Sequence, residues 1–266
     1  MQGYLDAGYW DLFTMPQLIT RNARQYPDAE AVVDAQGNRL TWLELKRLSE
    51  QIALGLQHLG LQRDQAVLAQ MPDTADSFVL RLAFRMAGIL STFAPMTLRH
   101  TEIHHALQKL GAVAVVIPRR YRQFDYLEMV QEIRCDLPQL KHLIIAGAEG
   151  PEGTVSLHQI GQIGQTRWEE QYPSTGLEQT SLGPWEVSEV LLTSGSTGVP
   201  KLCERTEAVY GAYGRHTAET LGLTPHDVIG VFSPLSGGPG LAAWCGALRT
   251  AAKSVLLNRL EGEGML

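Results

Sequence analysis

The chain has 266 residues and carries 28 acidic against 22 basic side chains, a formal net charge of −6. This balance argues against a nucleic-acid-binding protein, since such proteins usually present a basic surface. Its three cysteines are far apart and form no C-x-x-C pair, so neither a disulfide scaffold nor a zinc module is expected. The sequence has no signal-peptide pattern at its start and no run of about 18 apolar residues. We therefore predict a cytoplasmic protein.

Apolar runs alternate with helical patterns over the first part of the chain. One helix is expected to begin after Thr41, because Glu44 three residues later completes a capping box, and Gly60 ends its apolar periodicity. Further strands are predicted at residues 31–34, 66–70, 112–117 and 142–146, and further helices at 73–87, 101–110 and 126–134. This alternation predicts an α/β domain with a mostly parallel sheet.

Residues 147–185 differ from what precedes them. They are rich in Gly, Gln, Ser, Thr and Pro and show little periodicity, so we predict a long loop that separates two subdomains. The alternation then resumes, with strands predicted at 189–192, 228–232 and 254–257 and helices at 208–221 and 240–250. The sequence predicts two doubly wound α/β subdomains, residues 1–180 and residues 181–266.

The segment LLTSGSTGVPK, residues 191–201, points most clearly to chemistry. Gly195 and Gly198 allow a sharp turn and close approach of the backbone to a ligand. Exposed backbone N–H groups in such a turn form a concave site for phosphate oxygens, and Lys201 adds a positive charge. Hydroxyl donors come from Thr193, Ser194, Ser196 and Thr197. We predict a phosphate-binding loop over residues 193–201 with a helix a few residues later; a simple flexible loop is the alternative.

Three motifs resemble elements of the acyl-adenylate-forming superfamily and occur in its order. TSGSTGVPK at 193–201 resembles the signature phosphate-binding loop, while LTWLEL at 40–45 and AGILSTFAP at 87–95 resemble two earlier elements. This superfamily includes acyl-CoA synthetases, aryl-acid AMP ligases, peptide-synthetase adenylation domains and luciferases. PKLCERT at 200–206 is similar to the continuation found in aryl-acid AMP ligases.

The resemblance implies an enzyme that uses ATP and Mg²⁺ to convert a small carboxylic acid into its acyl-AMP. The acyl group would then pass to a thiol, that of coenzyme A or of a carrier-bound phosphopantetheine. Lys201 would have a catalytic role. The resemblance assigns phosphate binding to Thr193, Ser194, Gly195, Ser196, Thr197 and Gly198. No protein metal ligands are predicted, because His100 and His104 have no third ligand nearby.

Two departures from the superfamily pattern qualify these expectations. SPLSGGPG at 233–240 lacks the His-Asn element of enzymes that act on 2,3-dihydroxybenzoate, so a preference for that acid is not expected. The superfamily elements for ribose binding, the hinge and the C-terminal domain are not found in these 266 residues. We therefore expect an isolated chain that is catalytically incomplete, completed by a C-terminal region or associated with a second copy. The alternative is a non-catalytic nucleotide-binding or interaction module.

Overall fold

The computed structural model describes residues 2–10, 12–171, 176–193 and 199–257. The helices are α1 (Gln2–Asp6), α2 (Met15–Gln25), α3 (Trp42–His58), α4 (Ala75–Ala87), α5 (His100–Leu110), α6 (Tyr126–Ile133), α7 (Leu157–Gln171), α8 (Leu177–Thr180), α9 (Glu207–Leu221) and α10 (Gly238–Thr250). The strands are β1 (Glu30–Val33), β2 (Arg39–Thr41), β3 (Ala66–Ala69), β4 (Leu90–Phe93), β5 (Ala114–Ile117), β6 (Arg120–Tyr121), β7 (Phe124–Asp125), β8 (His142–Ile145), β9 (Val155–Ser156), β10 (Val187–Thr193), β11 (Lys201–Thr206), β12 (Val228–Val231) and β13 (Lys253–Leu256). No helix within these ranges is both long and apolar enough to cross a membrane.

Two sheets organise the fold. The larger has seven strands in the order β11-β10-β4-β3-β5-β8-β9, and all neighbours are parallel except β11, which is antiparallel to β10. The smaller has the order β12-β13-β1-β2, with β2 antiparallel to β1. Parallel neighbours joined through helices are the mark of doubly wound folds, and the predicted α/β class is confirmed.

Each of these two sheets combines strands that are far apart in the chain. Strands β10 and β11 extend the sheet that begins with β3 and β4, and Val32 of β1 pairs with Ser254 of β13. The sheets therefore do not divide at residue 180. The subdomain boundary between 1–180 and 181–266 was drawn from chain order, and it stays a prediction.

Helix α3 begins where the capping residues predicted it. The Thr41 N–H donates to the Glu44 carboxylate at 2.8 Å, and the Glu44 N–H donates to the Thr41 hydroxyl at 3.2 Å. These reciprocal bonds satisfy backbone donors that a helix start otherwise leaves without partners. Helix α4 is the most enclosed helix of this region: every residue in Ala75–Ala87 except Asp76 is buried.

The expectation of a long loop over residues 147–185 was wrong. This stretch contains β9, α8 and the 15-residue helix α7, which packs along α3. A Cβ on Gly164 of α7 would lie 1.7 Å from the carbonyl oxygen of Gln51 in α3. A Cβ on Gly55 of α3 would lie 2.1 Å from the carbonyl oxygen of Ile160. Gly164, one of the glycines that suggested a loop, is thus needed for close contact between two helices, as is Gly55 on the facing helix.

We expect Gly164→Ala to destabilise the fold by about 1–3 kcal/mol, because the added methyl group must push α7 away from α3. Gly161→Ala is the matched control in the same helix, since the nearest atom to its Cβ would be a side-chain carbon of Ile52 at 3.4 Å, an ordinary contact. The control should be neutral or more stable by up to about 1 kcal/mol, the helix propensity gained. Urea unfolding of the two variants measures both effects. Equal stabilities would mean that the helices are not in close contact.

Candidate active site

A cavity of about 250 Å³ lies where the two sheets meet. Its walls come from segments that follow the carboxyl ends of β3 and β4, together with residues at the ends of β12 and β13. In open α/β sheets this is the place where ligands bind. Most of the lining residues are apolar, and three are charged: Asp73, Arg81 and Arg122. The apolar side chains that the walls contribute include Met71, Phe93, Met96, Phe232 and Leu256.

The predicted phosphate-binding segment departs from the same sheet edge. Strand β10 is the parallel neighbour of β4, so the carboxyl ends of both strands point the same way. Thr193 ends β10 and Lys201 begins β11; the two residues are directly opposite each other, and the Thr193 hydroxyl donates to the Lys201 carbonyl at 3.4 Å. The structure therefore brings these two predicted site residues together. The other predicted residues, Ser194, Gly195, Ser196, Thr197 and Gly198, lie outside the described residues.

The position of Lys201 corrects one expectation. It is the first residue of β11, a strand of six residues that precedes α9, whereas the sequence predicted only a loop and then a helix. The strand lies at the edge of the sheet and its residues are exposed or half-buried. It therefore shows neither the continuous apolar run nor the clear alternation that reveals strands in a sequence.

The electrostatic setting of Lys201 suits an anionic ligand. Its side chain is exposed and forms no ion pair with any residue in the described ranges. An exposed ammonium group beside a segment with free backbone N–H groups can bind phosphate oxygens. The parts of the site that the structure describes are therefore compatible with a triphosphate.

A buried ion network lies behind the cavity. Arg81 donates to Glu189 of β10, and Arg85 donates to Glu189 at 2.9 Å and to Glu207 of α9 at 2.8 Å. All four side chains are fully buried. Glu207 also accepts the backbone N–H of Met15 at 2.8 Å. The network therefore joins α4 to β10, α9 and the start of α2.

Sequence reasoning missed this network, although α4 carries a signal for it. Two arginines four residues apart interrupt a helix that is otherwise almost wholly apolar, FVLRLAFRMA. Arginine is rarely buried without a charged partner, so such a pair predicts buried carboxylates. The partners themselves, Glu189 and Glu207, are too distant in the chain to be found by spacing.

Burial and neighbouring charges act in opposite directions on the carboxyl groups here. Burial raises the pKa of Glu189, but the charges of Arg81 and Arg85 outweigh it and hold the pKa below its usual value. At Asp73 burial is the stronger effect, so its pKa is raised despite the Leu235 N–H and the charge of Arg81. Glu189 is thus held as an anion, while Asp73 is a carboxyl group that binds a proton more readily than usual.

The other candidates from the sequence do not join the site. His100 pairs with Glu132 at 2.8 Å on an exposed surface, away from the cavity lining. Within the described part of the chain, no group of three or more His, Cys, Asp or Glu side chains is arranged to hold a metal ion.

Fold and cavity together define an α/β protein with a small-ligand site at the carboxyl ends of its strands. The sequence model of the AMP-binding enzyme family matches residues 19–262, and the chain belongs to this family. The assignment of residues 193–201 as a phosphate-binding segment stays a prediction.

Similar proteins include several aryl-acid ligases. The chain is 31% identical over 231 residues to the salicyl-AMP ligase / salicyl-S-ArCP synthetase of Mycobacterium tuberculosis, covering 85% of this chain and 39% of the relative. It is 29% identical over 208 residues to the 2,3-dihydroxybenzoate-AMP ligase of Bacillus subtilis, covering 78% and 36%. The apo structure of MbtA from Mycobacterium smegmatis superimposes with a TM-score of 0.82 at 27% identity, covering 97% of this chain and 46% of that one. The chain thus spans less than half the length of these relatives.

We expect Glu189→Gln to destabilise the fold by about 3–5 kcal/mol at pH 7, because two buried guanidinium groups lose their shared carboxylate. The folded pKa of Glu189 is lowered, so its contribution is fully present above its unfolded pKa, about 4.3, and is lost as the pH falls through the folded value. The difference in free energy of unfolding between wild type and Glu189→Gln should therefore become smaller at acidic pH. Guanidinium chloride unfolding at pH 7 and at lower pH tests both points.

Glu30→Gln serves as the control for this measurement. Glu30 also pairs with two cations, Arg39 and Lys253, but on the surface, where such pairs contribute little. We expect no measurable loss of stability at pH 7. A Glu189 variant as stable as this control would contradict the importance assigned to the buried network.

Proposed function

We propose that the protein binds ATP at the segment 193–201, which joins β10 to β11, and a small carboxylic acid in the cavity, as part of an AMP-forming acid–thiol ligase. The observation that carries the proposal is the shared sheet edge. The cavity follows the carboxyl ends of β3 and β4, and the segment 193–201 follows the carboxyl end of the next strand, β10. Neighbouring strands are about 4.8 Å apart, so an acid in the cavity lies within a few strand spacings of a triphosphate held at this segment.

The reaction that this arrangement would serve has two steps. A carboxylate oxygen of the acid attacks the α-phosphorus of ATP, the bond to the β-phosphate bridging oxygen breaks, and pyrophosphate leaves. A thiolate, of coenzyme A or phosphopantetheine, then attacks the acyl carbon and AMP leaves. Backbone N–H groups and hydroxyls of residues 193–198 would hold the phosphates, and Lys201 would stabilise charge on the leaving group. Mg²⁺, commonly held by substrate phosphates with one or two carboxylates, would neutralise the triphosphate.

The cavity lining supports a compact acid with an apolar body. Met71, Phe93 and Met96 offer apolar contacts, and Phe232 lines the wall immediately before the segment 233–240, which lacks the His-Asn element. A cavity of about 250 Å³ is large enough for a substituted benzoate or a medium-length aliphatic acid. The aryl-acid ligases among the similar proteins favour the aromatic class.

A non-catalytic nucleotide-binding or interaction module is the second candidate. An exposed aromatic surface favours it: Tyr4 and Tyr9 are more than half exposed, Tyr4 stacks on Trp10, and Trp10 contacts Trp185 at 5.6 Å between ring centroids. Exposed clusters of large aromatic side chains are typical of interaction surfaces. A second copy of the chain or a separate C-terminal region would be the partner. We keep a cytoplasmic location as part of either candidate.

We expect the 266-residue chain to bind MgATP, with an affinity that falls about tenfold in Lys201→Ala because a charge on the phosphates is lost. Lys109→Ala is the control, since Lys109 is an exposed lysine in the last turn of α5, away from the cavity and from the segment 193–201. Isothermal titration calorimetry measures both affinities. Equal affinities for the two variants would remove Lys201 from the site.

Acid-dependent exchange of pyrophosphate into ATP is the test of catalysis. Exchange by these 266 residues that requires an acid and Lys201 supports the ligase and contradicts the expected catalytic incompleteness. MgATP binding without exchange is expected both of an incomplete ligase and of a binding module, and binding of an acid in the presence of MgATP then favours the ligase. Benzoate, salicylate, 2,3-dihydroxybenzoate, cyclohexanecarboxylate and octanoate form a suitable panel. We expect no preference for 2,3-dihydroxybenzoate, since the His-Asn element is missing. A clear preference for it would show that other groups replace that element.

A further inference from the structure

The wall of the cavity contains a backbone segment fixed by side chains from another part of the fold. Residues 232–236 connect β12 to α10, and Leu235 in this segment is completely buried. The Leu235 N–H donates to the Asp73 carboxylate at 3.0 Å, and the Leu235 carbonyl accepts from Arg81 at 2.8 Å. Leu235 is thus held through both its N–H and its carbonyl oxygen, which belong to successive peptide groups. We call Asp73, Arg81 and Leu235 the Leu235 clamp.

Arg81 also holds β10, the strand that precedes the predicted phosphate-binding segment. While one of its terminal nitrogens donates to Leu235, the other donates to Glu189, in the middle of β10. Its guanidinium carbon lies 3.6 Å from the centroid of the Phe93 ring, which lines the cavity. A single guanidinium group therefore contacts the cavity wall, a cavity-lining ring and the strand before that segment.

We propose that Asp73 and Arg81 are positioning residues for acid binding. They act by fixing the backbone of Leu235, and with it the wall formed by residues 232–236. The proposal rests on the assignment of the cavity as the acid site. Arg81 connects this wall to β10, and the connection would hold the acid and the triphosphate at fixed positions relative to each other. A lysine at position 81 would keep the charge for Glu189 but lacks the planar fork that reaches two acceptors.

The chain offers a matched control for Arg81 in the same helix. Arg85 is equally buried and shares Glu189 with Arg81, but its other partners are Glu207 and the Arg81 carbonyl, and it does not contact Leu235. Arg81→Lys and Arg85→Lys thus both disturb the buried ion network while keeping its charge. Only Arg81→Lys removes the hydrogen bond to the Leu235 carbonyl in the cavity wall.

Hydrogen exchange of the peptide that covers residues 232–240 tests the clamp without any ligand. We expect exchange roughly tenfold faster in Arg81→Lys and close to wild type in Arg85→Lys, because only the former frees the Leu235 carbonyl. Faster exchange of this peptide in both variants alike, or in neither, would overturn the proposal, since the segment would then respond only to overall stability.

Asp73 provides a second test should Arg81→Lys fail to fold. Asp73→Ala removes the acceptor of the Leu235 N–H without touching the ion network, and Asp73→Asn restores an acceptor oxygen of the same shape. We expect faster exchange of the wall peptide in the alanine variant and rescue in the asparagine variant. Unchanged exchange in Asp73→Ala would exclude a positioning role for this residue.

Benzoate binding, measured by calorimetry with MgATP present, tests the consequence for the site. We expect the Kd for benzoate to rise roughly tenfold in Arg81→Lys and Asp73→Ala, and to stay within about twofold in Arg85→Lys and Asp73→Asn, because misplacement of a binding wall weakens complementarity. Faster hydrogen exchange of the wall peptide without any change in Kd would show that Asp73 and Arg81 have no role in acid binding. If wild type binds none of the acids in the panel, the assignment of the cavity fails, while the exchange result still decides whether the clamp exists.

Discussion

The fold depends on four charges placed where water does not reach. Arg81, Arg85, Glu189 and Glu207 are fully buried and share their hydrogen bonds with one another. Bringing a charged group out of water costs several kcal/mol, and only close pairing within the protein offsets that cost. The pairing is satisfied in one arrangement of α4, β10 and α9. An apolar core of the same volume would hold these elements together without dictating their relative positions so narrowly.

This constraint explains how strands that are far apart in the chain, but neighbours in one sheet, still form one site. Strand β10 joins the sheet of β3 and β4 after a long excursion, and the ion network fixes it to α4, which connects those two strands. Strands β12 and β13 complete the smaller sheet on the other side of the cavity. The carboxyl ends of several strands then face a common space, and the site forms at the junction of the sheets.

Local signals in the sequence were enough for much of this architecture. The capping pair Thr41 and Glu44 located α3, and the apolar run over residues 112–117 located β5, because both depend on neighbouring residues. Strand β11 and helix α7 were missed since one lies half-exposed at a sheet edge and the other contains glycines that serve a distant helix. The cavity could not be predicted at all, since its walls are assembled from segments far apart in the chain. Residue types predicted a phosphate-binding segment, but only the sheet order showed that the strand before it lies next to β4.

Under the proposed function, the choice of acid depends on which part of the ligand meets which residue of the cavity lining. Phe232 contributes an aromatic ring immediately before the segment 233–240, which lacks the His-Asn element. A hydroxyl of the acid placed against that ring would gain no hydrogen bond from it, whereas an apolar part of the acid would gain contact area. Polar contacts would have to come from other residues of the lining, such as Arg122, Ser233 and Ser236. The proposed acid therefore turns its apolar body toward Phe232 and its polar groups toward these residues.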